Sequence, residues 1–408
     1  MANWNSIPKE LVTKIAEHVN LYEDFENIRL ICSCWRSAAK EARFKGEPSI
    51  ATDEHTLPWL MLPEKDNTSN RRRLYSLSNR KIRHMHIPNS LIKGGNINQK
   101  RVLSSHGWLL VTLDSNNFSL YNPYSGTTIK PPKIELWYNG HRQFGYCHNK
   151  FILSANPSTT SNFVVFLSLE GNVGYQTSPI LVFWRSGDDR WVPVVDPAHP
   201  HPELRLSVTF RGFFDSVCHD ITFYQGEFYG VSCRGVIVEF QTLYTYPYFR
   251  QVTKLPELPA GKRRDNCREH WLYYLVESDN QLLVVRHMLW ADEKTPHRRN
   301  IKFEVLDLNV RVGFVKKVES LGNRAIFIGS NSSFSLQVTP NQHGFKPNCI
   351  YYADDRITGR WVRRGDECTE SCSYDLTDGK CSTFYHGSSK PSSVSQFTWV
   401  ESPSLSSN

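Results

Sequence analysis

The chain reads as a mostly β protein, a small α-helical head followed by a β-propeller of about six blades. Three observations predict this. Apolar residues recur three and four apart only up to about Ala42. From Asn98 onward, short apolar runs alternate with turn residues and helical periodicity nearly vanishes. Those runs repeat a loose unit of turn, strand, turn, second strand and aromatic residue near Gly107, Lys150, Gly226, Asn280 and Gly322.

The head begins at Pro8, whose fixed φ and missing N–H suit the start of a helix. Glu10 follows in the first turn, where a negative charge meets the positive end of the helix dipole. Ile7, Leu11, Val12, Ile15, Ala16 and Val19 then keep helical spacing. A second stretch runs from about Asp24 through Phe25, Ile28, Ile31, Cys32, Trp35, Ala38 and Ala39, and Gly46-Glu-Pro48 ends it. A helical unit of about 40 residues is too small to enclose so many large side chains. Its surplus apolar face either packs on the chain's own β domain or docks another protein.

Ile7-Pro8-x-Glu10-Leu11 at one end and Ile31-Cys32-x-x-Trp35-Arg36 at the other resemble the F-box, whose usual form opens on Leu-Pro-x-Glu and closes on Val-Cys-x-x-Trp. Ile7 for Leu conserves volume, and Ser33 stands where Lys is common. The resemblance implies a Skp-type adaptor as partner and, through it, a cullin scaffold. It also implies that Ile7, Pro8, Leu11, Ile15, Val19, Ile31, Cys32 and Trp35 face that adaptor, with Trp35 the chief anchor.

Four segments follow: the head (1–45), a linker partly packed on the body (46–98), the propeller (99–386) and a Ser-rich tail (387–408). Inside the linker, Leu57–Leu62 and Arg73–Leu77 have the composition of ordered structure. In the tail, Phe397-Thr-Trp399-Val400 has the makings of a strand.

Strands are expected in the body at 108–113, 118–121, 127–129, 163–167, 180–184, 220–224, 227–231 and 236–240. Further strands are expected at 282–285, 302–306, 325–328 and 349–352. Gln225-Gly226 and Arg234-Gly235 read as hairpin turns. At roughly 40–50 residues per blade, this length supplies about six blades. A large sandwich is the competing all-β architecture and would show fewer repeated units.

Seven segments in order then resemble plant F-box proteins with a KIB-type propeller. They include Ser105-His-Gly107-Trp108, Leu120-Tyr-Asn122-Pro123, Asp220–Tyr229, Ser320–Gly329 and Tyr374-Asp-Leu376-x-Asp378-Gly379. The resemblance covers most of the chain and implies the same architecture.

Composition excludes several classes. A formal charge of +8 over 408 residues is modest and spread out. The short runs Arg71–Arg73, Lys262–Arg264 and Arg298-Arg299 read as solvated loops, so no nucleic-acid partner is expected. No apolar run reaches bilayer length and the first residues lack a signal peptide's pattern, so no membrane partner is expected. The protein is expected in the cytoplasm or nucleus, with its ten cysteines reduced and the sequons at Asn67, Asn117 and Asn331 unmodified.

No nucleophile elbow, phosphate-binding Gly loop or zinc-protease helix is present. Cys368, Cys372 and Cys381 read as structural rather than metal-binding, and His199 and His201 are at most a weak metal candidate. Neither a metal nor a cofactor is expected. The expected function is therefore non-catalytic: a substrate receptor of an SCF-type ubiquitin ligase, whose propeller holds an unidentified protein for ubiquitination. The alternatives are an interaction scaffold or an enzyme with a channel site. Tyr244, Tyr246, Tyr248 and Arg250 concentrate aromatic and Arg side chains and are the substrate-binding candidates, unless they form an edge strand with its rings turned inward.

Overall fold

The computed structural model describes residues 7–18, 28, 31–41, 58–64, 70–78, 80–92, 101–114, 116–135, 137–138, 141–142, 147–173, 176–194, 218–242, 248–256, 267–292, 295–339, 344–353, 371–385 and 397–401. Val19, Tyr244, Tyr246, Cys368, His199, His201 and Lys262–Arg264 lie outside the described residues.

Six sheets form the six blades of a propeller, each running from the centre of the ring outward. Blade 1 is Thr398–Val400, Trp59–Met61, Arg71–Ser76 and Ile82–His86. Blade 2 is Val102–Ser105, Trp108–Thr112, Phe118–Tyr121 and Thr128–Ile129. Blade 3 is Cys147–Leu153, Val164–Val173, Gln176–Arg185 and Val192–Pro193. Blade 4 is Cys218–Tyr224, Glu227–Ser232, Val236–Gln241 and Tyr248–Lys254. Blade 5 is Cys267–Ser278, Gln281–Asp292, Thr295–Asn309 and Phe314–Val318. Blade 6 has five strands: Phe334–Gln337, Arg324–Gly329, Cys349–Ala353, Ser371–Asp375 and Cys381–Tyr385.

The strand runs are continuously apolar because each blade is covered on both faces, so residues pointing either way are buried. Phe166 packs between blades 3 and 4, whereas Val165 and Leu167 pack between blades 2 and 3. Phe327 faces blade 1 while Ile326 and Ile328 face blade 5. Six apolar clusters of this kind fill the six blade-to-blade interfaces. The hairpin turns expected at Gln225-Gly226 and Gly235 are present, with positive φ at all three residues.

The segment expected as a linker, 46–98, contains three blade strands, and the propeller begins well before residue 99. The expected tail supplies the innermost strand of that same blade. Trp59 pairs with Val400 and Met61 with Thr398, antiparallel, so the two ends of the chain close the ring. Phe397 and Trp399 pack toward blade 6, and Val400 packs toward blade 2. Trp399 Nε1 donates to the Ile328 carbonyl at 2.9 Å, and the Ser332 hydroxyl donates to the Trp399 carbonyl at 3.0 Å. Arg71–Arg73 is a strand rather than a solvated loop, with Arg72 buried and Arg73 held by Glu64.

At the ring's centre the innermost strands are joined by polar groups. The Lys150 ammonium meets Asp220 Oδ1, and Asp220 Oδ2 accepts the Leu275 N–H at 3.0 Å. The Phe151 N–H donates to Asn331 Oδ1 at 2.8 Å, and Asn331 Nδ2 reaches the Ser104 carbonyl. Buried polar groups of five blades thus satisfy one another.

Candidate functional site: the exposed face of the helical head

The head contributes two helices, Lys9–Glu17 and Ser33–Glu41, among the described residues. Pro8 is the N-cap of the first, with φ −55° and ψ 141°, and its carbonyl accepts the Leu11 and Val12 N–H groups at 3.0 and 3.2 Å. Glu10 occupies the first turn. Cys32 directly precedes the second helix; its carbonyl accepts the Arg36 N–H at 2.9 Å and its Sγ accepts the Trp35 N–H at 3.4 Å. The Thr13 hydroxyl bridges the pair, 3.0 Å from the Lys9 carbonyl and 3.4 Å from that of Ala38.

The first helix carries two adjacent apolar stripes, and they have different fates. Val12 and Ala16 point inward and pack with Ile28, Trp35, Ala38 and Ala39 into one small cluster, with Ile7 and Cys32 at its margin. That cluster contains no residue of the blades. Leu11 and Ile15, one turn apart on the other stripe, are 52% and 42% exposed, and Ile31 is 54% exposed. Ile7, Pro8, Leu11, Lys14, Ile15 and His18 line a groove of about 520 Å³ whose walls are almost entirely carbon. The Lys14 carbonyl holds the His18 Nδ1 at 2.8 Å, which fixes the imidazole at the groove's end.

Trp35 requires a correction. It is 5% exposed and sits in the head's own core instead of projecting toward a partner. The reason is geometric: two short helices need one large side chain between them, and Trp35 fills the space left by Ala16, Ala38 and Ala39. Cys32 is half-buried beside it. Helical spacing brings Ile7, Pro8, Leu11 and Ile15 together on one surface, and sequence reasoning missed Lys14 and His18 at its border.

Of the expected substrate residues, the structure describes Tyr248 and Arg250, both on the outermost strand of blade 4. Tyr248 is half-buried and Phe249 is turned into the core between blades 3 and 4. Arg250 forks onto Glu239, with Nη2–Oε2 at 2.8 Å and Nε–Oε1 at 3.1 Å. The Tyr229 hydroxyl also donates to Glu239, at 3.2 Å. Such a bidentate pair holds the guanidinium within the sheet edge. Cys372 is buried between blades 5 and 6, whereas Cys381 is exposed on the outermost strand of blade 6.

The model of the KIB1-4 β-propeller family matches residues 74–375. F-box protein At2g26160 of Arabidopsis thaliana is 22% identical over 373 residues, covering 86% of this chain and 96% of its own. F-box protein SKIP23 of Arabidopsis thaliana is 22% identical over 392 residues, covering 83% of this chain and 81% of its own. Among solved structures, an oligogalacturonate lyase in complex with manganese superposes with a TM-score of 0.36 at 9% identity, over 77% of this chain and 70% of that one.

Proposed function

We propose that this chain, which belongs to the KIB1-4 β-propeller family, is a non-catalytic substrate receptor of an SCF-type ubiquitin ligase. The head docks a Skp-type adaptor that joins a cullin scaffold, and the propeller holds the protein to be ubiquitinated. The observation that carries the reading is the exposure of Leu11, Ile15 and Ile31 on a head whose own core is already filled by Val12, Ala16, Trp35, Ala38 and Ala39. An apolar stripe left over after the core is complete is a surface for another polypeptide. The chain's relatives favour the adaptor as that polypeptide: they bear the F-box name and align over most of their length.

The ligase chemistry belongs to the partner subunits. This chain contributes proximity, raising the effective concentration of target lysines near the conjugating enzyme. The reading carries with it a site of action in the cytoplasm or nucleus.

The test is co-purification of the full chain with a Skp-type adaptor. Leu11→Arg combined with Ile15→Arg puts two cations on the exposed stripe and spares the inward one. The complex should weaken by at least about 2 kcal/mol, the scale of an interface hot spot, with helicity unchanged. Undiminished capture of adaptor and cullin by that variant would overturn the assignment.

A further inference from the structure

The outer half of blade 1 is a locally basic stretch in a chain whose formal charge is +8. Between Asn70 and Ile92 stand Arg71, Arg72, Arg73, Arg80, Lys81 and Arg83, with no Asp or Glu among them. The six divide by environment. Arg72 is buried, its Nη1 on the Arg71 carbonyl at 3.0 Å, and Arg73 is tied to Glu64 and to the Pro63 carbonyl. Arg71, Arg80 and Lys81 are exposed. The Arg83 guanidinium lies 5.4 Å from the centre of the Trp59 ring. Between Lys81 and Arg83, Ile82 is 43% exposed.

Ile82–His86 pairs with Arg71–Ser76 on one side and is the last strand of its blade among the described residues. An edge of this kind presents unpaired N–H and C=O groups and is a template for another strand. Its cations repel a basic strand and attract an acidic one, so charge sets which strand is accepted. Blade 6 already carries a fifth strand, so the ring tolerates a blade of that width.

We propose that the outer edge of blade 1 is an interaction surface that takes an extended acidic segment of a partner protein as a fifth strand. Backbone pairing runs along Ile82–His86, an aliphatic partner side chain rests on Ile82, and partner carboxylates meet Arg80, Lys81 and Arg83. Strand addition of this type draws affinity from main-chain hydrogen bonds and specificity from alternate side chains. A nucleic acid would use the cations but neither the strand edge nor the exposed isoleucine. The inference rests on the reading that the propeller holds a protein, and it concerns a surface separate from the head.

The experiment uses the full chain and a labelled peptide of alternating Glu and Val. A peptide with Lys in place of every Glu, and a short single-stranded RNA, serve as comparisons. The acidic peptide should bind more weakly as salt rises and should slow amide exchange at 82–86. Arg80→Glu with Lys81→Glu should weaken binding at least about ten-fold, whereas Lys316→Glu with Lys317→Glu on blade 5 should leave it unchanged. The neutral pair Arg80→Gln and Lys81→Gln should give an intermediate loss and guards against misfolding of the reversed variant. Equal binding to the parent and both blade 1 variants, equal binding of the Lys peptide, or RNA binding with the acidic peptide refused would each overturn the proposal. Adaptor capture is scored on the same preparations, so a failure at this edge is distinguishable from a failure of the head.

Discussion

The Lys150 ammonium lies 2.6 Å from Asp220 Oδ1, and the two stand on the innermost strands of neighbouring blades with 3% and 1% of their side chains exposed. The carboxylate also accepts the Ile221 and Leu275 N–H groups at 2.9 and 3.0 Å and the Ser333 hydroxyl at 3.3 Å. The ammonium also reaches the Asn331 carbonyl at 3.1 Å. One ion pair thereby links blades 3 and 4 directly and reaches blades 5 and 6 through its hydrogen bonds. A buried pair is not net stabilising relative to a well-packed apolar core, but breaking it strands a charge.

Asp220→Asn should therefore destabilise the propeller by about 3–5 kcal/mol, since the buried ammonium then loses the carboxylate 2.6 Å away. Lys150→Met should cost less, because the carboxylate keeps its N–H and hydroxyl donors. Urea denaturation followed by tryptophan fluorescence checks the order of the two. Equal losses would show that the donors do not support the lone carboxylate.

Trp35→Ala empties the centre of the head and should destabilise it by about 3–5 kcal/mol, the usual range for a buried Trp. Since that cluster includes no blade residue, the loss should be confined to the head. Hydrogen exchange should accelerate over 9–17 and 33–41 while the blades keep their protection. Adaptor binding should fall as well, through unfolding rather than through a lost contact.

Gly344 adopts φ +105°, and a Cβ there would lie 2.4 Å from Ser78 Cα and 2.6 Å from Ser78 N. Backbone on the far side cannot yield as a side chain would. Gly344→Ala should cost several kcal/mol, on the order of 3 or more, through strain and overpacking together. Gly322, at φ +61° with open space around it, should tolerate Ala at about 1 kcal/mol. Paired thermal melts compare them.

The ring closure should depend on pH through Glu401, which directly follows the closing strand. Burial pushes its carboxyl up to about 7, while a hydrogen bond from the His106 N–H pulls the other way. The Tyr124 hydroxyl lies 3.5 Å from the Glu401 carbonyl, and the neighbouring strand Trp59–Met61 carries no charge. A carboxyl raised in the folded state favours the protonated form, so its contribution is complete below about 4.5 and is lost as pH rises through about 7. His106 runs oppositely: burial lowers it to about 4, so its contribution is lost as pH falls from 6.5 toward that value. The difference between the parent and Glu401→Gln isolates the carboxyl. The variant should gain on the order of 2 kcal/mol above neutrality and nothing at pH 4.5, read as exchange protection at 397–401.

The middle blades were legible because their signals are local. In blade 4 the strands expected at 220–224, 227–231 and 236–240 each lie within the observed Cys218–Tyr224, Glu227–Ser232 and Val236–Gln241. Gly226 and Gly235 mark the turns between them. In blade 1 the segments at 57–62, 73–77 and 397–400 were legible as ordered, but their joining into one blade was not. Trp59–Met61 is three residues long, and its inner neighbour is at the other end of the chain. No window of sequence contains both halves, and the three arginines at 71–73 disguise a strand as a loop.

The head divides in the same way. Periodicity finds apolar residues at 11, 12, 15 and 16 but cannot rank the two stripes, since either would serve as the inward one. The order of residues determined that a helical head precedes a ring of β blades, because turn chemistry and apolar spacing act between near neighbours. Tertiary structure alone decided that Trp35 is core while Leu11, Ile15 and Ile31 are surface, and that the last strand completes the first blade. Burial is set by which surfaces meet across the whole chain, and that meeting is written in no single segment.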